Sequence, residues 1–191
     1  ANGSSGVYVN AAINTTIGGT ESGEGNTIHK NQGDGVFLDS TISSKVVGNS
    51  IFNNKGLGID LAPDGVTNND LDDSDGLQNF PVILTTYSLP GLALRTKGHL
   101  ISWSDTSFLI SFYASQGCDS SGYGEGRQYL GSTTVTTSYA NFASFDLELS
   151  RPSKDLDNLT ATAYNVNLGT SEFSACVPIA DETVFLPLIV K

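Results

Sequence analysis

The chain has 191 residues, 38% of them hydrophobic and 15% charged, which is enough apolar material for one large or two small packed cores and too much for a disordered polymer. A formal net charge of -11, with its nine basic residues scattered, excludes the clustered Lys and Arg on which phosphate binding depends, so nucleic acid is not an expected partner. No apolar run reaches the roughly 18 residues that a membrane-spanning helix needs.

With 21 glycines, many Ser, Thr and Asn, and no amphipathic helical period beyond two turns, the sequence reads as all-β. The absence of methionine points to a processed chain or to a segment of a longer polypeptide. Residues 1–62 repeat themselves. "GNTIHKNQGDGVFLD" (25–39) and "GNSIFNNKGLGIDLA" (48–62) superpose Asn26 on Asn49, Ile28 on Ile51, Asn31 on Asn54, Gly33 on Gly56, Gly35 on Gly58 and Leu38 on Leu61. A partial third copy precedes them: "GVYVN" (6–10) matches "GVFLD" (35–39), and "TTIGGT" (15–20) matches "KVVGNS" (45–50). That spacing is longer by about six residues, which fits an insertion around "TESGEG" (20–25).

A period near 23 residues with short β runs and Asn/Gly turns indicates a β solenoid rather than a helical one. Stacked coils should then place Ile and Val in the core and Asn side chains in ladders along the stack. The two copies resemble the right-handed parallel β-helix repeats of bacterial secreted and cell-surface proteins. The resemblance implies a short helix of two to three coils.

An acidic segment follows, "DGVTNNDLDDSDG" (64–76), inside a junction loop over 63–79. Asp64, Asn69, Asp70, Asp72, Asp73 and Asp75 offer hard oxygen ligands at a density that suits a structural Ca2+. The EF-hand pattern fails because position 71 is Leu. A solvated acidic turn is the competing reading. The longer stretch 58–83, ending in "LQNFPVI", resembles the segment that closes such a β-helix before an immunoglobulin-like domain.

Residues 80–180 read as an antiparallel β-sandwich: candidate strands at 82–87, 100–103, 108–113, 129–136, 142–149, 159–164 and 172–177 are separated by Gly, Ser, Asn and Asp turns. Phe145, Leu147 and Leu149 alternate with Ser144, Asp146 and Glu148, as one wet face requires. "FYASQGCDSSGYGEGRQYLGS" (112–132) and "NLTATAYNVNLGTSEFSACV" (158–177) are similar to the same immunoglobulin-like domain. Cys118 and Cys176 lack CxxC spacing or His neighbours, which disfavours zinc and fits one disulfide between a loop and the last strand, with two buried free thiols as the alternative.

Glu125 and Arg127 in "GYGEGRQ" read as a solvated Gly-rich loop, and Trp103 as a core residue or a sugar-stacking platform. His29 reads as solvated on a coil surface. His29 and His99 have no Ser or Cys partner motif, and "GTESGEG" lacks the Lys of a P-loop. The enzymes among the β-helix proteins that the repeat resembles, lyases and glycosidases, use Ca2+ with Arg or Lys, or paired Asp/Glu, in a groove along several coils. Here no Arg precedes Arg95 and only two or three coils are recognisable.

The tail, 181–191, carries the apolar run Val184, Phe185, Leu186, Pro187, Leu188, Ile189 and Val190. An apolar strand together with an uncapped solenoid end is a route to strand addition between subunits. The expectation is therefore a non-enzymatic extracellular, cell-surface structural protein that polymerises with itself head to tail into filaments or a sheath. The competing expectation is a glycan-binding or glycan-processing, lyase-like module of a larger secreted protein, with cell-surface glycans as partners.

Overall fold

A computed structural model describes residues 2–71, 73–91 and 93–181. The chain is all-β, with small parallel sheets at its start and larger antiparallel sheets after them. The first circuit comprises β1 (Val7–Asn10), β2 (Thr16–Gly18) and β3 (Thr27–His29); the second comprises β4 (Val36–Asp39), β5 (Lys45–Val47) and β6 (Ser50–Phe52); β7 (Ile59–Leu61) opens a third. Equivalent strands pair in parallel, in the orders β1-β4-β7, β2-β5 and β3-β6.

The register is the one the repeat implies: Ile28 faces Ile51 and Leu38 faces Leu61. Pairings from β3 onward join residues 23 apart, as between Asn26 and Asn49 and between β4 and β7. The pairings of β1 with β4 and of β2 with β5 join residues 29 apart, as between Asn10 and Asp39. The excess lies between β2 and β3, where "TESGEG" stands. One detail departs from the sequence alignment. Thr16 pairs with Lys45 and Gly18 with Val47, so the match of Gly18 to Gly48 is one residue out. The apolar row sets this pairing: Ile17 lies over the buried Val46.

Burial along β4 alternates, with Val36 and Leu38 inside and Phe37 and Asp39 half-exposed, as a pleated strand with one buried face must. Val36, Leu38, Val46, Ile51, Ile59 and Leu61 fill the space between the small sheets. Asn26 donates from its backbone N and from Nδ2 to Asn49 Oδ1, each at 3.0 Å. Asn31 does the same to Asn54 Oδ1 at 3.2 and 2.9 Å. Asn suits such a ladder because one side chain both donates and accepts along the stack.

The second half has β8 (Val82–Leu89), β9 (Ala93–Ile101), β10 (Ser107–Ser115), β11 (Gln128–Thr136), β12 (Phe142–Ser150), β13 (Asn158–Asn165), β14 (Gly169–Thr170) and β15 (Val177–Pro178). They form two antiparallel sheets, β12-β9-β8 and β11-β10-β13-β14, with β15 also paired to β13. Leu94, Leu100, Phe108, Phe112, Phe145 and Leu159 share one core, and Phe112 meets Phe145 edge to face across it at 5.4 Å.

The strand expected at 100–103 is instead the end of the longer β9. The charged run in β9 hid the rest. Arg95 and Lys97 lie on its wet face and pair with Asp146 of β12 at 2.7 and 3.2 Å, while Leu94, Thr96, Gly98 and Leu100 point inward. The strand expected at 172–177 contracts to β15; residues 171 and 174 bond to β13 while the Glu172 and Phe173 side chains turn to the coils. The tail residues Val184 to Val190 lie outside the described residues.

Candidate functional site

The last coil does not end in open backbone. Segments of the antiparallel half take the place of the next coil. Ile51 and Gly126 exchange N–H···O bonds of 2.8 and 2.9 Å, Thr170 N donates to Ser44 O at 2.9 Å, and Val46 N donates to Thr170 Oγ1 at 2.8 Å. Tyr113 and Phe173 enter the core of the coils with their rings edge to face at 5.3 Å. Gly48 N donates to the Tyr113 hydroxyl at 3.0 Å. Gly58 permits the fit, since a Cβ there would stand 2.9 Å from ring carbons of Phe173.

Glu125, read from sequence as part of a solvated loop, is 8% exposed. Its carboxylate accepts from Asn53 N at 2.5 Å, Asn54 N at 2.9 Å and Asn54 Nδ2 at 2.8 Å. The Asn31–Asn54 ladder therefore terminates on a carboxylate, which satisfies donors that another coil would otherwise have met. Burial raises the Glu125 pKa against these bonds. Burial also pushes the Tyr113 phenol up to about 12. The neighbouring Arg127 guanidinium lies over the Phe52 ring at 4.8 Å. His29 stacks on the other side of that contact, 4.9 Å from Phe52, and is half-buried rather than solvated.

Cys118 and Cys176 are disulfide-bonded, with Cα atoms 5.7 Å apart. The bond ties the loop that carries Glu125 to the segment that carries Glu172 and Phe173. Two flanking backbone bonds, Gly124 N to Ser174 O at 3.0 Å and Cys176 N to Gly122 O at 3.1 Å, run alongside it.

In the acidic segment most of the proposed ligands are engaged locally. Asn69 and Phe80 bond through Nδ2 to O at 2.8 Å and N to Oδ1 at 2.9 Å. Asp70 Oδ2 accepts from Ser74 Oγ at 2.6 Å and Asp75 N at 3.2 Å, and the Ser74 bond lowers its pKa. Asp75 Oδ1 accepts from Leu77 N at 2.9 Å. Asp73 is buried and accepts from Asn79 N at 2.6 Å, from Trp103 N at 3.1 Å and from Ser102 Oγ. Asp72 lies outside the described residues.

Of the five described, Asp64 joins a carboxylate group outside the acidic turn. Asp34, Asp60 and Asp64 place one oxygen each within 4.8 Å of one another. Asp60 is fully buried, and burial raises its pKa to about 7. Beside the group, Glu172 accepts from Leu61 N at 3.1 Å and Thr67 N at 3.0 Å, and burial raises it to about 7 as well. Sequence reading passed over Asp34, Asp60 and Glu172, because each is a lone acid within an apolar or polar run.

Trp103 leaves β9 and is 37% exposed, held by its backbone to Asp73 and Thr137. At the far end of the coils, β1, β2 and β3 are each paired on one side only among the described residues. An open cleft of about 570 Å³ there is lined by Val7, Ile17, Ile28 and Asn31, among others. The class established by this architecture is an all-β protein with stacked parallel strands joined to antiparallel sheets. No protein-family model matches the chain, and no curated protein matches it.

Proposed function

We propose that this is a non-enzymatic extracellular structural or cell-surface protein: a short right-handed parallel β-helix closed at one end by an immunoglobulin-like sandwich, joining copies of itself head to tail. The observation that carries the reading is the difference between the two ends of the coils. One end is bonded to the sandwich through Gly126, Thr170 and Glu125. The other, among the described residues, leaves one edge of β1, β2 and β3 unpaired beside the partly buried Val7, Val9 and Ile17. A strand from a neighbouring chain would satisfy both the backbone and the apolar surface at that edge. The apolar run 184–190 is the segment assigned to this role. Contacts of this kind do not close on themselves and so propagate.

Negative-stain electron microscopy of the chain with and without residues 182–191 tests it. Filaments that vanish on deletion are expected. Monodisperse monomers in both samples, or filaments in both, refute it.

A glycan-binding reading has one observation in its favour. Tyr8, 57% exposed, stacks on Phe37 at 5.6 Å, and its hydroxyl is bonded to Asn10 and Asp39. An aromatic face rimmed by amide and carboxylate is the chemistry that sugars stack on. Binding on a glycan array that disappears in Tyr8→Ala would support it.

A further inference from the structure

We propose that Asp34, Asp60 and Asp64 form a Ca2+ site that fastens the second coil, the third coil and the turn leading into the sandwich to one another. The three carboxylates come from three successive pieces of chain: Asp34 precedes β4, Asp60 lies in β7, and Asp64 lies in the turn after it. One oxygen from each falls within 4.8 Å of the others. A cation with Ca–O distances of about 2.3–2.6 Å bridges oxygens that are so placed.

Two independent observations call for an ion there. Asp60 is fully buried, and its Oδ1 has no hydrogen-bond partner, although Oδ2 accepts from Gly65 N at 3.3 Å. An orphaned, buried carboxylate oxygen is costly unless something positive meets it. The second observation is the missing counter-charge. The ion pairs among the described residues all involve Arg95 or Lys97 in the antiparallel half, so no described basic side chain forms an ion pair with the group. Glu172 adds a fourth carboxylate alongside.

The cradle is also shaped for the group. Leu57 N and Ser5 Oγ each give Asp34 one bond, at 2.9 and 3.0 Å, on different oxygens, which leaves lone pairs on both. Gly56 admits the Asp34 carboxylate, since a Cβ there would stand 2.1 Å from Oδ1. The donor set is oxygen alone, with no His or Cys, which excludes the usual zinc and copper chemistry and selects a hard cation. Mg2+, which demands about 2.0–2.1 Å and a regular octahedron, is the comparison ion.

The rival arrangement is a proton shared among the carboxylates, and the two differ in what calcium does. The full chain, stripped with EGTA, is titrated with CaCl2 by calorimetry and followed by thermal unfolding. The expected result is one Ca2+ per chain, a melting temperature that climbs with Ca2+ concentration, and affinity weakened about tenfold or more in Asp64→Asn. Asp64 is exposed, so this variant is expected to fold, which the same thermal unfolding checks. Asp75→Asn, in the acidic turn, should bind as wild type. A wild-type chain that takes up no Ca2+, an Asp64→Asn chain that binds as tightly as wild type, or loss of binding in Asp75→Asn overturns the site. Mg2+ binding as tight as Ca2+ overturns its assignment to calcium.

Discussion

Replacing Glu125 by Ala should loosen the joint between the coils and the antiparallel half more than any comparable change on the coil surface. Three donors lose their acceptor: Asn53 N, Asn54 N and Asn54 Nδ2. A buried donor left unmatched costs about 1–3 kcal/mol. Asn53 is exposed and Asn54 half-buried, so water recovers the first donor and only part of the second residue's pair. Removing a buried charge gives something back. The net expectation is a loss of roughly 2–4 kcal/mol, and Glu125→Gln, which keeps one carbonyl oxygen, should lose about 1 kcal/mol. Urea unfolding followed by circular dichroism measures both. Hydrogen exchange should accelerate at both the Asn53 and Asn54 amides in the Ala variant and at one of the two in the Gln variant, since the amides bond to different carboxylate oxygens. An Ala variant within about 0.5 kcal/mol of wild type, or a Gln variant as unstable as Ala, would refute the ladder-terminating role.

Tyr113 links the same joint to pH. Its folded pKa of about 12 lies above the ordinary 10, so the neutral phenol is the form the fold favours. The stabilisation is complete below pH 10 and is lost as pH rises through 12, up to roughly 3 kcal/mol; Tyr113→Phe should remove this alkaline component, read by unfolding at pH 9 and pH 11. Reducing the Cys118–Cys176 bond opens a loop of 58 residues, for which chain-entropy reasoning gives about 4 kcal/mol, and thermal melts with and without reductant should separate by that loss. Gly58→Ala should force its new methyl against Phe173, costing about 1–3 kcal/mol by overpacking; a neutral result in denaturant unfolding would mean that the ring can move away.

The coils were legible because their signal is periodic. A match at Asn26 and Asn49 or at Ile28 and Ile51 recurs at the spacing that the stack itself imposes, and the extra residues near Thr20 fall where a loop has room. The strands of the second half were legible wherever one face is wet, as in β12. Most of β9 was hidden because Arg95 and Lys97 answer Asp146 across strands, a pairing that no local pattern reports. The site was harder. The dense acids at 70–75 drew attention, yet short-range density mostly serves turn-making, with Asp70 and Asp75 bonding residues only a few positions away. Glu125 and Glu172 bond partners 71 and 111 residues away, so their roles exist only after folding.

The way the coils terminate has a consequence for how such a protein can vary in length. Each circuit offers the next one the same row of amide donors, and the sandwich accepts that row with a side chain and two short backbone segments rather than with a strand of matching sequence. The closing surface reads the edge of a coil, not its number in the series. Duplication of a 23-residue unit, the spacing at which Asn31 meets Asn54, would renew that edge unchanged. The reach of the molecule can therefore be adjusted in steps of one coil while its antiparallel half stays as it is.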